Sequence, residues 1–429
     1  MSFGTGLSGL NAASKNLDVI GHNIANANTT GMKAGRAEFA EMYASALGAA
    51  GGSNGGIGVA VATVSQLFTQ GNLKVTGNNM DIAVNGEGLF KVAMTDGSTA
   101  YTRNGEFKLD KDGYIITNNK AKLQGYQTDR EGKRTSVVTS DLKLPTGGVM
   151  TPQATGTDPL RPDITLKANL DSRVTDQQTV AYGAGTPADP YLKDEHKTYG
   201  TALNVYDTLG NAVPLQIYFV KTANANEWEV NYSLDNGVSA PVATGTIEFD
   251  PATGQLLAGQ VLPDVVIPAA APPATVPSAN IEIFGAEMDI TGFTQFGSNF
   301  GIYDLQQDGF APGELTSINI GEDGIITAAY SNGTSQAAGQ ISLTNFRNLQ
   351  GLAPVNGGYW LETAASGAPV TGAPLEGRLG QIRSGALEES NVDMTAELVN
   401  MIVAQRSYQA NAQTIKTQDQ VLSTLVNLR

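Results

Sequence analysis

Residues 394–429 read MTAELVNMIVAQRSYQANAQTIKTQDQVLSTLVNLR, and their spacing decides the outline of the molecule. Met394, Leu398, Met401, Gln405, Tyr408, Ala412, Ile415, Asp419, Leu422 and Val426 recur at alternating steps of four and three, and eight of these ten can face a partner. No Gly or Pro occurs from Asn391 to Arg429, so propensity agrees with pattern. The spacing predicts a helix well beyond the usual three or four turns, which needs an elongated partner.

A second stripe lies at the other end. Residues 3–24 read FGTGLSGLNAASKNLDVIGHNI, with Phe3, Leu7, Leu10, Ser14, Leu17, Gly21 and Ile24 at the same spacing and Asn11, Lys15, Asp18 and Asn23 opposite. A single amphipathic helix docked on a globular core would read the same way. Pairing the two terminal helices, with each other and with neighbouring copies, buries both stripes most economically. Gln405 and Asp419 in the seam weaken an isolated two-helix coil, so order at the termini is expected to be marginal in the monomer and complete in an assembly.

Working inward, Asn26, Asn28, Thr29, Thr30 and Gly31 break the first helix, and a mixed stretch follows to Tyr43. Glycines 48, 51, 52, 55, 56 and 58 then mark a flexible loop, with Gly51, Gly52, Gly55 and Gly56 at its centre. It reads as a surface loop or as a pliable link between a fixed core and a moving outer layer. From Val59 the period drops to two, and strands punctuated by Asp96-Gly97 and Asp110 to Gly113 make an all-β region. Similar turn grammar returns at Asp308-Gly309, Asp323-Gly324 and Asn332-Gly333.

The expected organisation is therefore multi-domain: a coiled-coil-like α-helical domain from both termini (1–30 and 386–429) and a linker region with the glycine loop (31–76 and 366–385). Two mainly-β domains complete it, an inner one (77–145 and 291–365) and an outer one inserted in it (146–290). Two sequential β-domains would give the same pattern. The Pro, Ala and Val-rich stretch 261–277 reads as a surface excursion.

Composition narrows the chemistry. The chain carries 41 acidic and 26 basic residues for a net charge of -15, and only 16% of its residues are charged. A surface built from Ser, Thr, Asn, Gln and Gly can be dehydrated in packing contacts without stranding many charges. No basic, aromatic-laced cluster suits nucleic acid, and no stretch of 18 apolar residues suits a lipid bilayer. The absence of cysteine excludes disulfides, thiolate metal sites and thiol nucleophiles. The N-terminus lacks the pattern of a cleavable signal peptide. His22 and His196 have no metal-ligand spacing, the acidic turns do not continue as EF-hand loops, and Gly86-Glu87-Gly88 lacks a phosphate-loop lysine. We expect no catalytic residue, no metal and no cofactor.

Both ends closely resemble the flagellar axial family of rod, hook and hook-associated subunits. The N-terminal match runs over Leu7 to Ser14 and Leu17 to Lys33, and includes Asn23, Asn26, Thr29 and Gly31. The C-terminal match runs over Ala386 to Asp393, Met401-Ile402 and Gln405 to Asn411, and includes Asn391, Asp393, Gln405 and Arg406. Asn85 to Phe90, Tyr101 to Phe107, and Gly351-Leu352 with Trp360 and Glu362 resemble the hook and distal-rod branch. Val205 to Gly210, Thr291 to Phe296, Gln307 to Phe310 and the large middle resemble hook subunits more than the shorter distal-rod ones.

The resemblance implies a structural subunit, exported without a cleavable signal by the flagellar type III apparatus. It would polymerise with itself, outside the cell, into a curved hollow universal joint that carries torque from rod to filament and encloses the export channel. The distal rod, hook cap and hook-filament junction proteins would be its neighbours. The alternative is a distal rod subunit. The terminal stripes Phe3, Leu7, Leu10, Leu17, Ile24, Met394, Leu398, Met401, Tyr408, Ala412, Ile415, Leu422 and Val426 would be its assembly seams.

Overall fold

The computed structural model describes residues 3–43, 56–145, 150–157, 163–175, 181–260, 262–263, 265–267, 283–286 and 288–427. Two helices bracket a chain that is otherwise β: α1 (Phe3–Ala25) and α2 (Met394–Asn427). At ~1.5 Å per residue, α2 is about 51 Å long against about 34 Å for α1. Asp393 starts α2 by accepting the amides of Thr395 and Ala396 at 2.9 and 3.1 Å, which satisfies two of the donors a helix start leaves free.

The chain forms two compact units. The first comprises Met1–Gly147, Thr316–Ala329 and Ser335–Arg429, the second Gly148–Leu315 and Tyr330–Thr334. In the first, α1 and α2 pack on each other, and α1 also packs on an antiparallel hairpin of β1 (Gly35–Tyr43) and β2 (Gly56–Gln66). Composition suggested a linker here. The period-two reading from Val59 falls on β2, whereas β1 escapes it because the register shifts between Glu38 and Phe39 and again between Met42 and Tyr43. Gly56 pairs with Tyr43 and Gly58 with Met42, so both belong to β2 and not to a loop, while Gly51 and Gly52 and Gly55 lie outside the described residues.

The rest of this unit is a β-core whose neighbouring strands pair antiparallel, Leu89–Ala93 with Thr99–Thr102 and Lys122–Tyr126. Ile82, Phe90, Val92, Phe107, Leu123 and Ile341 are buried at its centre because alternation sends every second side chain inward. Asp110 to Gly113 makes the expected turn, with Gly113 N donating to Asp110 O at 2.9 Å, between strands Phe107–Leu109 and Ile115–Thr117. Two late strands return to early ones: Gln381–Ser384 pairs with β4 (Ile82–Asn85), and Ala386–Glu388 pairs with β3 (Leu73–Val75).

The second unit holds an antiparallel sheet of Tyr199–Tyr206, Ala212–Lys221, Glu227–Ser233 and Ala243–Glu248 in sequence order. A second sheet is built around Ile164–Asp171. Leu166, Phe219, Trp228, Tyr232 and Phe293 share one core. Of the 261–277 stretch, Val265–Ile267 pairs with Ile283–Ala286, and residues 268–277 lie outside the described residues.

Candidate functional site

The helix pair is antiparallel and close. A Cβ added at Gly6 would lie 3.1 Å from Ile415 Cγ1, and one added at Gly9 would lie 2.9 Å from Asn411 Oδ1. Small residues therefore set the approach. The buried residues of α1 are Gly6, Ala12, Ala13, Ile20 and Asn23, not the leucine stripe: Leu7 is exposed, and Leu10, Leu17 and Ile24 are half-buried.

On α2, the half-buried or buried positions are Glu397, Met401, Ala404, Asn411, Ala412, Thr414, Ile415 and Gln418. Met401, Ala412 and Ile415 of the predicted seam fall among them. Most of the remaining apolar surface is uncovered. Met394, Leu398, Val399, Ile402, Val403, Tyr408, Val421 and Leu422 are 38–61% exposed. Leu398 and Ile402, and Val399 and Val403, are four apart, so they form one continuous face. The side chains of Phe3 and Val426 lie outside the described residues. Gln405 and Arg406 are exposed on α2.

The remaining motif residues hold the helices to the β-core. The Asn23 amide bridges α1 to β1, donating to Gly35 O at 2.8 Å and accepting from Gly35 N at 2.9 Å. Asn391 does the same before α2: its Oδ1 accepts from Ala34 N at 2.8 Å, and its Nδ2 donates to Leu67 O at 2.7 Å and Thr69 Oγ1 at 2.8 Å. Asn26 donates to His22 O, and Thr29 N donates to Asn26 O, closing the turn that ends α1. Gly31 sits at φ +71°, with its N–H on Glu388 O at 2.8 Å. On the hairpin side, Val59 N donates to Ser8 Oγ at 3.3 Å, which ties β2 to α1.

Between these two anchors lies an ionic cluster that periodicity could not find. Glu388 accepts from Lys33 Nζ at 2.6 Å and from Arg103 Nη1 at 2.9 Å, and all three side chains are at most 7% exposed. Lys33 also donates to Thr69 O, Arg103 to Val84 O and Gly86 O, and Gly71 N to Glu388 Oε1. Burial pushes both bases below their usual values, and Glu388 opposes that shift.

A groove of about 450 Å³ lined by Lys15, Asp18, His22, Gln66, Phe68 and Gln350 runs beside α1, without a convergent acid–base set. Among the described residues, no group of three or more His, Asp or Glu is placed to hold a metal ion. Among the described residues, no helix is long and apolar enough to cross a membrane.

Comparison with known proteins covers nearly the whole chain. Residues 3–33 match the flagella basal body rod protein family, 83–177 the flagellar hook protein FlgE/F/G D1 domain, 169–310 the flagellar basal body protein FlaE D2 domain, and 383–428 the flagellar basal body rod FlgEFG protein C-terminal family. The flagellar hook protein FlgE of Salmonella typhimurium is 39% identical over 438 residues, covering 100% of both chains. That of Escherichia coli K12 is 39% identical over 437 residues, and that of Treponema pallidum 31% identical over 99% of this chain and 98% of its own. The crystal structure of Helicobacter pylori flagellar hook protein FlgE2 superposes with a TM-score of 0.53 at 15% identity, over 73% of this chain and 100% of that one.

Proposed function

Because the chain belongs to the flagellar hook protein FlgE family and is a structural subunit of the hook, we propose that α2 is the part through which it polymerises. The resulting tube is a curved, hollow universal joint that passes torque from rod to filament and carries the export channel. The observation that supports this reading is the uncovered apolar face of α2. Fully burying a large apolar side chain is worth ~1.5–3 kcal/mol, so completing the burial of eight half-exposed ones stabilises an inner contact by at most about 12 kcal/mol per subunit, before the costs of association. Repeated along a tube, that is enough to order the ends of every copy.

The terminal helices form the coiled-coil-like inner layer (1–30 and 386–429), with Phe3, Leu7, Leu10, Leu17 and Ile24 facing neighbouring copies. An outer β-domain (146–290) is inserted in an inner one (77–145 and 291–365). The two discontinuous compact units support that nesting, with boundaries shifted by tens of residues at the second crossing. The low charge of the chain suits hydrated, re-formable outer contacts that slide as the joint turns. The subunit leaves the cell through the flagellar export apparatus without a cleavable signal, and meets distal rod, hook cap and junction proteins at the ends of its polymer. A distal rod role is disfavoured by full-length matches to hook subunits. Removing residues 394–429 tests the reading: the shortened chain stays soluble and folded and forms no tubes, whereas normal tubes from it would overturn the proposal.

A further inference from the structure

We propose that Glu388 is a latch: the first compact unit cannot close around Lys33 and Arg103 until the last strand of the chain brings in this one carboxylate. Lys33 lies between the end of α1 and the start of β1, and Arg103 follows the strand Thr99–Thr102, so both cations belong to segments near the start of the chain. Their counter-charge comes from 355 and 285 residues further on. The other partners of the two cations are backbone carbonyls of Thr69, Val84 and Gly86, which satisfy N–H groups but carry no net charge. Without Glu388, closing the unit would enclose Lys33 with no anion among its partners, and would leave Arg103 only Glu87, which acts on it from beyond ion-pair distance. A buried, unpaired charge is among the most costly things a fold can contain.

The neighbouring geometry makes the dependence all-or-none. Glu388 O receives Gly31 N, and its Oε1 receives Gly71 N at 2.9 Å. Three residues on, Asn391 ties Ala34 and Leu67 to the approach to α2. One short segment thus completes hydrogen bonds to the end of the first helix, to both flanks of the hairpin and to the β-core at once. The same residues that neutralise the core also set the root of α2, so the unit closes and the helix pair is anchored in a single event. A chain threaded unfolded through the export apparatus proposed above would be kept from closing this unit until both of its ends had emerged. The latch itself is a property of the monomer and is tested there, so its failure is separable from failure of the assembly reading.

The test uses the full chain unfolded in urea. Glu388→Gln keeps the size and hydrogen-bonding capacity of the side chain and removes its charge. It is expected to lower the folding equilibrium constant of the first unit by about a hundredfold or more, the scale of breaking a buried pair. In a Lys33→Met, Arg103→Met background Glu388 is itself the stranded charge, so the same substitution should cost nothing or raise the folding constant. Equal losses in the two backgrounds would overturn the proposal, as would a loss under tenfold in the natural background. The order of events is read by pulsed hydrogen exchange during refolding. Protection of residues 82–126 should appear in the same phase as protection of 381–388, and should move ahead of it in the double-Met background. Protection of 82–126 clearly ahead of 381–388 in the natural chain would refute the latch even if Glu388→Gln were destabilising.

Discussion

Gly31→Ala isolates the cost of the joint between α1 and the β-core. Gly31 sits at φ +71°, and a Cβ there would lie 2.6 Å from both the carbonyl carbon of Arg103 and the amide nitrogen of Asn104. Two costs add. Holding an L-residue in the left-handed region costs ~1–2 kcal/mol, and forcing a methyl against backbone costs ~1–3 kcal/mol more, about 2–5 kcal/mol in all. Gly97 is the control, because it has φ +85° and open space around its Cβ, so Gly97→Ala carries only the first cost. The assay is urea unfolding followed by the fluorescence of Trp360, which is buried in the first unit, in a Trp228→Phe background so that one indole reports. With a denaturant slope of about 3 kcal/mol per M, Gly31→Ala should lower the midpoint by about 1 M. A shift no larger than that of Gly97→Ala would show that Arg103 and Asn104 do not confine the joint.

Leu398→Asp and Leu422→Asp place a charge on α2 positions that are about half exposed in the monomer. Each should change monomer stability by less than about 0.5 kcal/mol and abolish tube formation, measured by sedimentation and electron microscopy. In the second unit, burial pushes the Tyr232, Tyr218 and Tyr199 hydroxyls above their usual value. The folded chain keeps these protons while the unfolded chain loses them near pH 10, so their contribution is intact below about pH 10 and falls above it. Thermal unfolding followed at Trp228 should therefore show a midpoint that declines between pH 10 and 11. Tyr232→Phe should flatten the decline.

The long helices were legible because a 34-residue helix without Gly or Pro repeats one signal many times. Which side chains meet inside the chain was not legible. The leucine stripe of α1 is the obvious one, yet Gly6 and Gly9 make the contact, and glycine carries no hydropathy signal. The strands were readable wherever Gly and Asx turns closed short alternating runs, as at Asp110 to Gly113. Of the β1 and β2 hairpin, β2 was readable from Val59 onward, but β1 and the start of β2 were not, because register shifts break the alternation and Gly56 and Gly58 look like loop residues. Asn23 and Gly31 showed only as a polar helix position and a helix break, and Asn391 and Asp393 only through family resemblance, while their work is done by a few hydrogen bonds and one backbone angle. Lys33, Arg103 and Glu388 fall inside the family-like segments, but nothing local marks charges that meet across 285 and 355 residues.

The central claim is that the apolar face of α2, left open in the single chain, is closed by other copies of the same chain. An image of the assembled polymer at subunit resolution tests it most directly. It should show Leu398, Val399, Ile402 and Val403 buried against helices of neighbouring subunits around a central channel. A tube held together by its β-domains, with those four side chains still facing solvent, would contradict it.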